Sequence, residues 1–116
     1  MRVLIVDDHT AFRAATRELL ERRGHEVAAE AASGVEALDA AARLELDLVL
    51  LDVRLDDESG VDVARALATA RPGLAVVLMS ADTSPPSDAF AAGARAYVSK
   101  RRLHTVDLEQ LARRVD

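Results

Sequence analysis

Asp47-Leu48-Val49-Leu50-Leu51-Asp52 sets four apolar residues between two aspartates. A strand with one wet face would alternate apolar and polar positions. This stretch does not, so it reads as a strand buried on both faces and charged at both ends. Strands of that kind belong to parallel sheets covered on each side by helices. The flanking residues supply them. Upstream, Ser33 can cap a helix in which Val35, Leu38 and Ala42 share a face. Downstream, Ser59 and Gly60 open another that carries Val61, Ala64 and Ala68 and ends at Arg71-Pro72-Gly73.

Further out the alternation repeats. Val3 to Val6 is a short apolar run, and Thr10 to Arg23 has Phe12, Ala15, Leu19 and Leu20 at helical spacing, with Gly24 where a helix would stop. A strand follows from about Glu26 to Ala31. Beyond the central stretch, Ala75 to Met79 is a fourth strand and Ala96 to Ser99 a fifth, and Leu108, Leu111 and Val115 form one stripe of a last helix. Five β–α units imply an α/β fold, a doubly wound parallel sheet with helices on both faces. Tandem repeats, linkers and low-complexity segments are absent from the sequence, and residues 1–116 read as one domain.

Bulk properties narrow the function. Half of the 116 residues are hydrophobic, enough for a core without staples, and with no cysteine there are no disulfides or thiolate metal sites. The cysteine count agrees with a cytoplasmic location. The apolar N-terminal run is too short for a signal peptide or a membrane span, which predicts a soluble protein with no membrane partner. A net charge of −5 and 3% aromatic residues argue against direct nucleic-acid binding, which rewards clustered cations and stacking platforms.

In such sheets ligands gather beyond the carboxyl ends of the strands. Strand one ends in Asp7-Asp8, strand three in Asp52, strand four in Ser80 and strand five in Lys100. Three carboxylates on one rim repel unless a cation or protons relieve them. Oxygen ligands with water in the remaining positions suit Mg²⁺, and a carboxylate can itself be a nucleophile that forms an aspartyl phosphate. Each piece alone has a bland explanation: Asp-Asp after a strand is usually a solvated turn or cap, and so is a strand-end Asp. Lys100 is more informative, as the only lysine among 15 Lys and Arg residues. A compact ammonium reaching a phosphate does a job that a planar guanidinium does differently.

These residues resemble the receiver domain of two-component response regulators. Val6-Asp7-Asp8-His9, Leu50-Leu51-Asp52-Val53-Arg54, Met79-Ser80-Ala81 and Tyr97-Val98-Ser99-Lys100 carry the resemblance in order, over essentially the whole chain. Asp7-Asp8-His9 with Phe12-Arg13 is similar to the subgroup whose longer members carry a C-terminal LuxR-type helix-turn-helix. The resemblance implies a flavodoxin-like sheet of order 2-1-3-4-5 and phosphorylation of Asp52 by a sensor histidine kinase. It implies Mg²⁺, with Mn²⁺ as a substitute, held by Asp8, Asp52 and the backbone carbonyl of Arg54, with Asp7 acting through water. Ser80 and Lys100 would bind the phosphoryl group, and Tyr97 would be the aromatic that changes rotamer, against a reading of simple edge packing. The domain would assist its own phosphorylation and dephosphorylation without being a turnover enzyme. His9 is expected to face solvent rather than hold metal.

The chain also departs from the pattern. Asp56 stands where many relatives have proline, in the acidic loop Leu55-Asp56-Asp57-Glu58-Ser59. The Ser80–Tyr97 stretch is short, so its helix should be brief, roughly Ser87 to Ala92. That puts in doubt the dimer contact this face commonly makes, though a homodimer stays among the partners. Arg54 and Asp82 each lie two residues beyond a site residue. An Arg54–Asp82 ion pair across the entrance would obstruct hydrolytic water and prolong the phosphorylated state.

Other functions fit less well. A nucleotide binder would need a glycine loop after strand one, a flavin binder aromatic walls, and a haloacid-dehalogenase-like phosphatase an Asp-x-Asp spacing. The serious alternative is a receiver that is never phosphorylated and serves as a docking or dimerisation module. The chain has no room for a DNA-binding domain after its last helix, so it reads as a stand-alone receiver or as the front half of a transcription factor.

Overall fold

The computed structural model describes residues 1–82 and 84–113. In chain order these form β1 (Arg2–Val6), α1 (Thr10–Arg22), β2 (Glu26–Ala31), α2 (Gly34–Arg43), β3 (Leu48–Asp52), β4 (Arg54–Leu55), β5 (Glu58–Ser59), α3 (Gly60–Ala70), β6 (Ala75–Ser80), β7 (Ala96–Ser99), a 3₁₀ helix (Lys100–Thr105) and α4 (Leu108–Ala112). The five long strands make one parallel sheet of order β2-β1-β3-β6-β7. This is the expected 2-1-3-4-5 order, because β4 and β5 are only a two-residue antiparallel ladder in the loop after β3.

The continuous apolar runs serve two cores at once. Successive side chains on a strand point to opposite faces. Leu4, Val6, Val49, Leu51, Val76 and Leu78 therefore meet α2 and α3, while Val3, Ile5, Leu48, Leu50, Val77 and Met79 meet Leu20 of α1 and Leu108 of α4. Every residue of β3 and β6 is buried, as the central strands of a covered parallel sheet must be.

Helix boundaries follow the local chemistry. The Ser33 hydroxyl accepts from the Glu36 amide at 3.2 Å and the Ser59 hydroxyl from Val61 at 3.2 Å. Gly24 ends the α1 region with φ of +85°, which favours glycine.

Helix faces differ in part from the sequence reading. In α2, Val35 is 78% exposed and Ala42 is exposed; Gly34, Ala37, Ala40 and Ala41 are buried. The buried face is thus made of small residues, and at Gly34 it lies so close to Glu58 and Val63 that a Cβ would collide with them. In α1, Ala15 is exposed and Thr16 is buried in its place.

The helix expected over Ser87–Ala92 is a series of turns. Its backbone mixes Ala89 N–H to Pro86 O, Ala92 N–H to Asp88 O and Gly93 N–H to Phe90 O at 3.0–3.1 Å, without a repeating four-residue ladder. Pro85 and Pro86 bring no amide donors, and the few residues after them cannot offset the cost of helix nucleation. Ala89, Ala92 and Ala94 still anchor the segment in the core. The last helical stripe is shorter as well: Leu108 is buried and Leu111 half-buried, and Val115 lies outside the described residues.

Candidate functional site

The carboxyl ends of β1, β3, β6 and β7 place Asp7, Asp8, Asp52, Ser80 and Lys100 on one rim. Lys100 Nζ bridges two carboxylates, 2.7 Å from Asp7 Oδ2 and 3.1 Å from Asp52 Oδ2. It also lies 4.3 Å from the centroid of the Phe12 ring, a cation–π contact. Asp7 is fully buried and Asp52 is 4% exposed. Burial holds the Asp52 carboxyl above the ordinary carboxylate range, against the opposing pull of the Arg54 amide and Lys100. Burial works against the Lys100 charge too, but its hydrogen bond to Asp7 and the nearby Asp52 charge outweigh it and raise its pKa.

The loop after β3 folds back on the end of that strand. The Arg54 amide donates to Asp52 Oδ1 at 3.1 Å, and the Gly60 amide donates to Val53 O at 2.7 Å. A side chain at Gly60 would collide with the backbone of Asp52 and Val53, so helix α3 can start here only on a glycine. Glu58 reaches from the same loop to the Gly34 amide at the start of α2, where a Cβ on Gly34 would collide with the Glu58 carboxylate. Neither contact was anticipated. The only sequence signal was the glycine following each capping serine.

The acidic cluster has an uneven interior. Asp8 Oδ1 is buried without a hydrogen-bond partner. His9, expected in solvent, is exposed over much of its ring but turns Nδ1 toward the cluster, 3.0 Å from Asp7 Oδ1 and 3.1 Å from Asp8 Oδ1. The hydrogen bond to Asp7 and the two carboxylate charges raise the imidazole pKa. Asp56 lies against Asp8, and this contact lowers the Asp8 pKa while raising that of Asp56. Asp7, Asp8, His9 and Asp52 each offer a ligand atom within 4.8 Å of the others. An orphaned carboxylate oxygen amid oxygen donors suits a hard divalent cation, so the residues present fit Mg²⁺.

On the other side of Asp52, Ser80 is buried and its hydroxyl accepts from the Asp82 amide at 3.1 Å. The Tyr97 hydroxyl donates to Asp82 O at 2.6 Å. Arg54 and Asp82 line an opening of about 150 Å³ with His9, Asp52, Ser80, Ala81 and Lys100. Among the described residues, however, no ion pair joins Arg54 to Asp82. The contacts of Asp82 run through its backbone, and an exposed pair gains too little to bend the loop.

Fold and rim together define a phosphoacceptor class of α/β domain, with carboxylates and one ammonium at the strand ends of a doubly wound sheet. The response regulator receiver domain family matches residues 3–115, and the chain belongs to that family, which acts as the phosphoacceptor in two-component signalling. It is 43% identical over 106 residues to the nitrate/nitrite response regulator protein NarP of Escherichia coli (strain K12), a match covering 85% of this chain and 47% of NarP. The chain thus spans about half the length of that relative. A two-component response regulator of the LuxR family from Aurantimonas sp. superposes with a TM-score of 0.82 at 32% identity, over 94% of this chain and 79% of that one. This similarity bears out the LuxR-like subgroup. The response regulator TrrA from Thermotoga maritima, in complex with Mg²⁺–BeF, superposes with a TM-score of 0.85 at 29% identity over 98% of both chains. The unphosphorylated docking module is not favoured. Among the described residues no helix is long and apolar enough to cross a membrane.

Proposed function

We propose that Asp52 is the phosphoacceptor of this receiver and takes its phosphoryl group from the phosphohistidine of a sensor kinase. The observation that carries the reading is the Lys100 ammonium held between Asp7 and Asp52 beneath an opening lined by Ser80. An Asp52 carboxylate oxygen forms the new O–P bond while the P–N bond of the donor breaks and its electron pair returns to the imidazole nitrogen. Asp8, Asp52 and the Arg54 carbonyl would hold Mg²⁺, with Asp7 engaged through water. When bound, the ion neutralises the phosphoryl oxygens and the crowded carboxylates. Lys100 then pairs with the transferred group, and Ser80 donates its hydroxyl to it.

The contacts of Ser80 suggest how the change leaves the site. Its hydroxyl accepts from Asp82 N–H, and Asp82 O accepts from Tyr97. A Ser80 that turns to the phosphoryl gives up the first bond, shifts the Asp82 peptide and frees the Tyr97 ring to move. The role is stoichiometric, one phosphoryl per chain, rather than that of a turnover enzyme. The reading also places the domain in the cytoplasm, as one receiver unit. It allows a homodimer as the signalling form and DNA binding through a C-terminal domain outside this chain, since the chain spans about half of NarP.

The test is intact mass after incubation with acetyl phosphate, with and without Mg²⁺, beside Asp52→Asn. Gain of one phosphoryl group that needs Mg²⁺ and disappears in the variant is the expected result. No gain in the wild type overturns the assignment.

A further inference from the structure

The chain has two phenylalanines, one tyrosine and no tryptophan, and a single lysine among its cations. Phe90 lies 52% exposed, and Tyr97 donates to Asp82 O. Phe12 is the remaining aromatic, and it meets the lysine. The Lys100 ammonium stands 4.3 Å from the centroid of its ring. Both partners are fixed there by their elements. Phe12 belongs to the first turn of α1, which the His9 amide ties to Asp7 Oδ1 at 2.8 Å and the Arg13 guanidinium ties to Asp7 O. The ring packs, half-buried, against the core cluster that holds Leu20 and Leu108. Lys100 opens the 3₁₀ helix directly after β7.

We propose that Phe12 is a positioning residue for phosphoryl transfer: its ring face holds the Lys100 ammonium at the rim while Asp52 changes from a free carboxylate into an acyl phosphate. The inference rests on Asp52 being the phosphoacceptor and goes beyond that reading in giving Phe12 a part in the reaction.

An ammonium has three N–H donors. Asp7 Oδ2 takes one at 2.7 Å and Asp52 Oδ2 another at 3.1 Å, and among the described residues Lys100 Nζ makes no further hydrogen bond. Once an Asp52 oxygen bonds to phosphorus, that carboxylate loses the charge that drew the ammonium, and the phosphoryl oxygens carry it instead. Lys100 has to change partners without leaving the rim. A third carboxylate in place of the ring would hold the ammonium more strongly, but it would compete with the phosphoryl group for the cation and repel its oxygens. The ring attracts the cation through its quadrupole and has no net charge to set against the phosphoryl group. An aliphatic side chain of similar size would fill the space without that attraction. The Lys100 side chain is only 17% exposed, so water competes little and the attraction lies toward the stronger end of its range.

The experiment places phenylalanine with one, two or three ring fluorines at position 12 of the whole chain, beside Phe12→Leu. Fluorine drains negative charge from the ring face and leaves its shape nearly unchanged, so a role in packing alone is insensitive to it. The readout is the rate of Mg²⁺-dependent phosphorylation by acetyl phosphate, whose acetate leaves as an Asp52 oxygen bonds to phosphorus. This small donor needs no docked kinase. The expected result is a rate that falls stepwise with each fluorine and drops about three- to tenfold in Phe12→Leu. Lys100 is the only lysine, so lysine-labelled protein reports its ε-methylene group without overlap. The ring should shift that signal upfield in the wild type, and the shift should vanish in Phe12→Leu. A rate that stays flat across the fluorinated series overturns the proposal even where Phe12→Leu is slow, since the ring then serves packing alone. An unshifted Lys100 signal in the wild type overturns it as well. A wild type that takes no phosphoryl group overturns the phosphoacceptor reading and this inference together, whereas a phosphorylated wild type with a flat series overturns this inference alone.

Discussion

Replacing Gly60 by alanine tests how tightly strand β3 is built against helix α3. The added methyl would stand 2.8 Å from Val53 Cα and 2.9 Å from the Asp52 carbonyl carbon, and nearer still to the Asp52 carbonyl oxygen. These are backbone atoms of a strand end and its loop, so no flexible side chain can yield. Comfortable carbon–carbon contact begins near 3.5 Å, so the start of α3 must retreat by several tenths of an ångström or more. That retreat also stretches the 2.7 Å bond from the Gly60 amide to Val53 O. Overpacking costs about 1–3 kcal/mol, near 3 kcal/mol here because only backbone can yield, and the weakened hydrogen bond adds up to about 1 kcal/mol. The reduced freedom of the unfolded chain returns about 0.4–1 kcal/mol. The net is a loss of about 2–3 kcal/mol, or roughly 8–12 °C in Tm for a domain of this size. Thermal unfolding followed by circular dichroism measures it. Gly73→Ala is the control, because nothing lies within 4 Å of a Cβ at Gly73, and it should melt close to the wild type. A Gly60→Ala protein that melts within about 2 °C of the wild type would refute the close-approach argument, since the predicted strain is several times larger.

Two further outcomes follow from the site. The raised Asp52 pKa means that the folded state binds that proton more tightly than the unfolded chain does, chiefly through burial. The associated stability is complete below the ordinary Asp value of about 3.9 and is lost as pH rises through the higher folded value. Asp52→Asn, neutral throughout, should therefore melt above the wild type at pH 7 without metal. The gap should close as pH falls below 4; a pH series of melts that shows no closing gap counts against burial as the cause. Glu58→Ala removes the carboxylate from the Gly34 amide and should cost about 1–2 kcal/mol in urea unfolding. Gly34→Ala should displace the same carboxylate, so the two losses should add to less than their sum if the contact is the shared cause.

The distribution of these effects separates what is local from what is not. The strands were legible because burial on both faces writes a continuous apolar run into consecutive residues, as in Leu48–Leu51 and Val76–Met79. The rim was legible for a related reason. In a parallel sheet all carboxyl ends lie together, so the residue after each run shares one edge, and Asp7, Asp52, Ser80 and Lys100 needed only that rule. The caps Ser33 and Ser59 were equally local.

Other features depended on how those elements meet. Val35 looked apolar enough to face the core, but the buried face of α2 is made of small residues, with Gly34 close against Glu58 and Val63, and the valine was left outside. The segment after Ser80 became turns because two prolines and a short span defeated helix nucleation, although its alanines still found the core. Arg54 and Asp82 reached the same opening without pairing, because Asp82 is held by its backbone. The need for glycine at position 60 arises from a contact between the start of α3 and the end of β3, whereas the inward turn of His9 is made with its own neighbours Asp7 and Asp8 and was hidden in a turn that residue order alone does not orient. Sequence alone determined the fold class and the set of residues on the rim, since periodicity and strand-end position are properties of neighbours along the chain. Tertiary structure decided which face of a helix is buried, which side chains touch and which carboxylate oxygen is left without a partner, because those depend on distances between segments that the order of residues does not encode one by one.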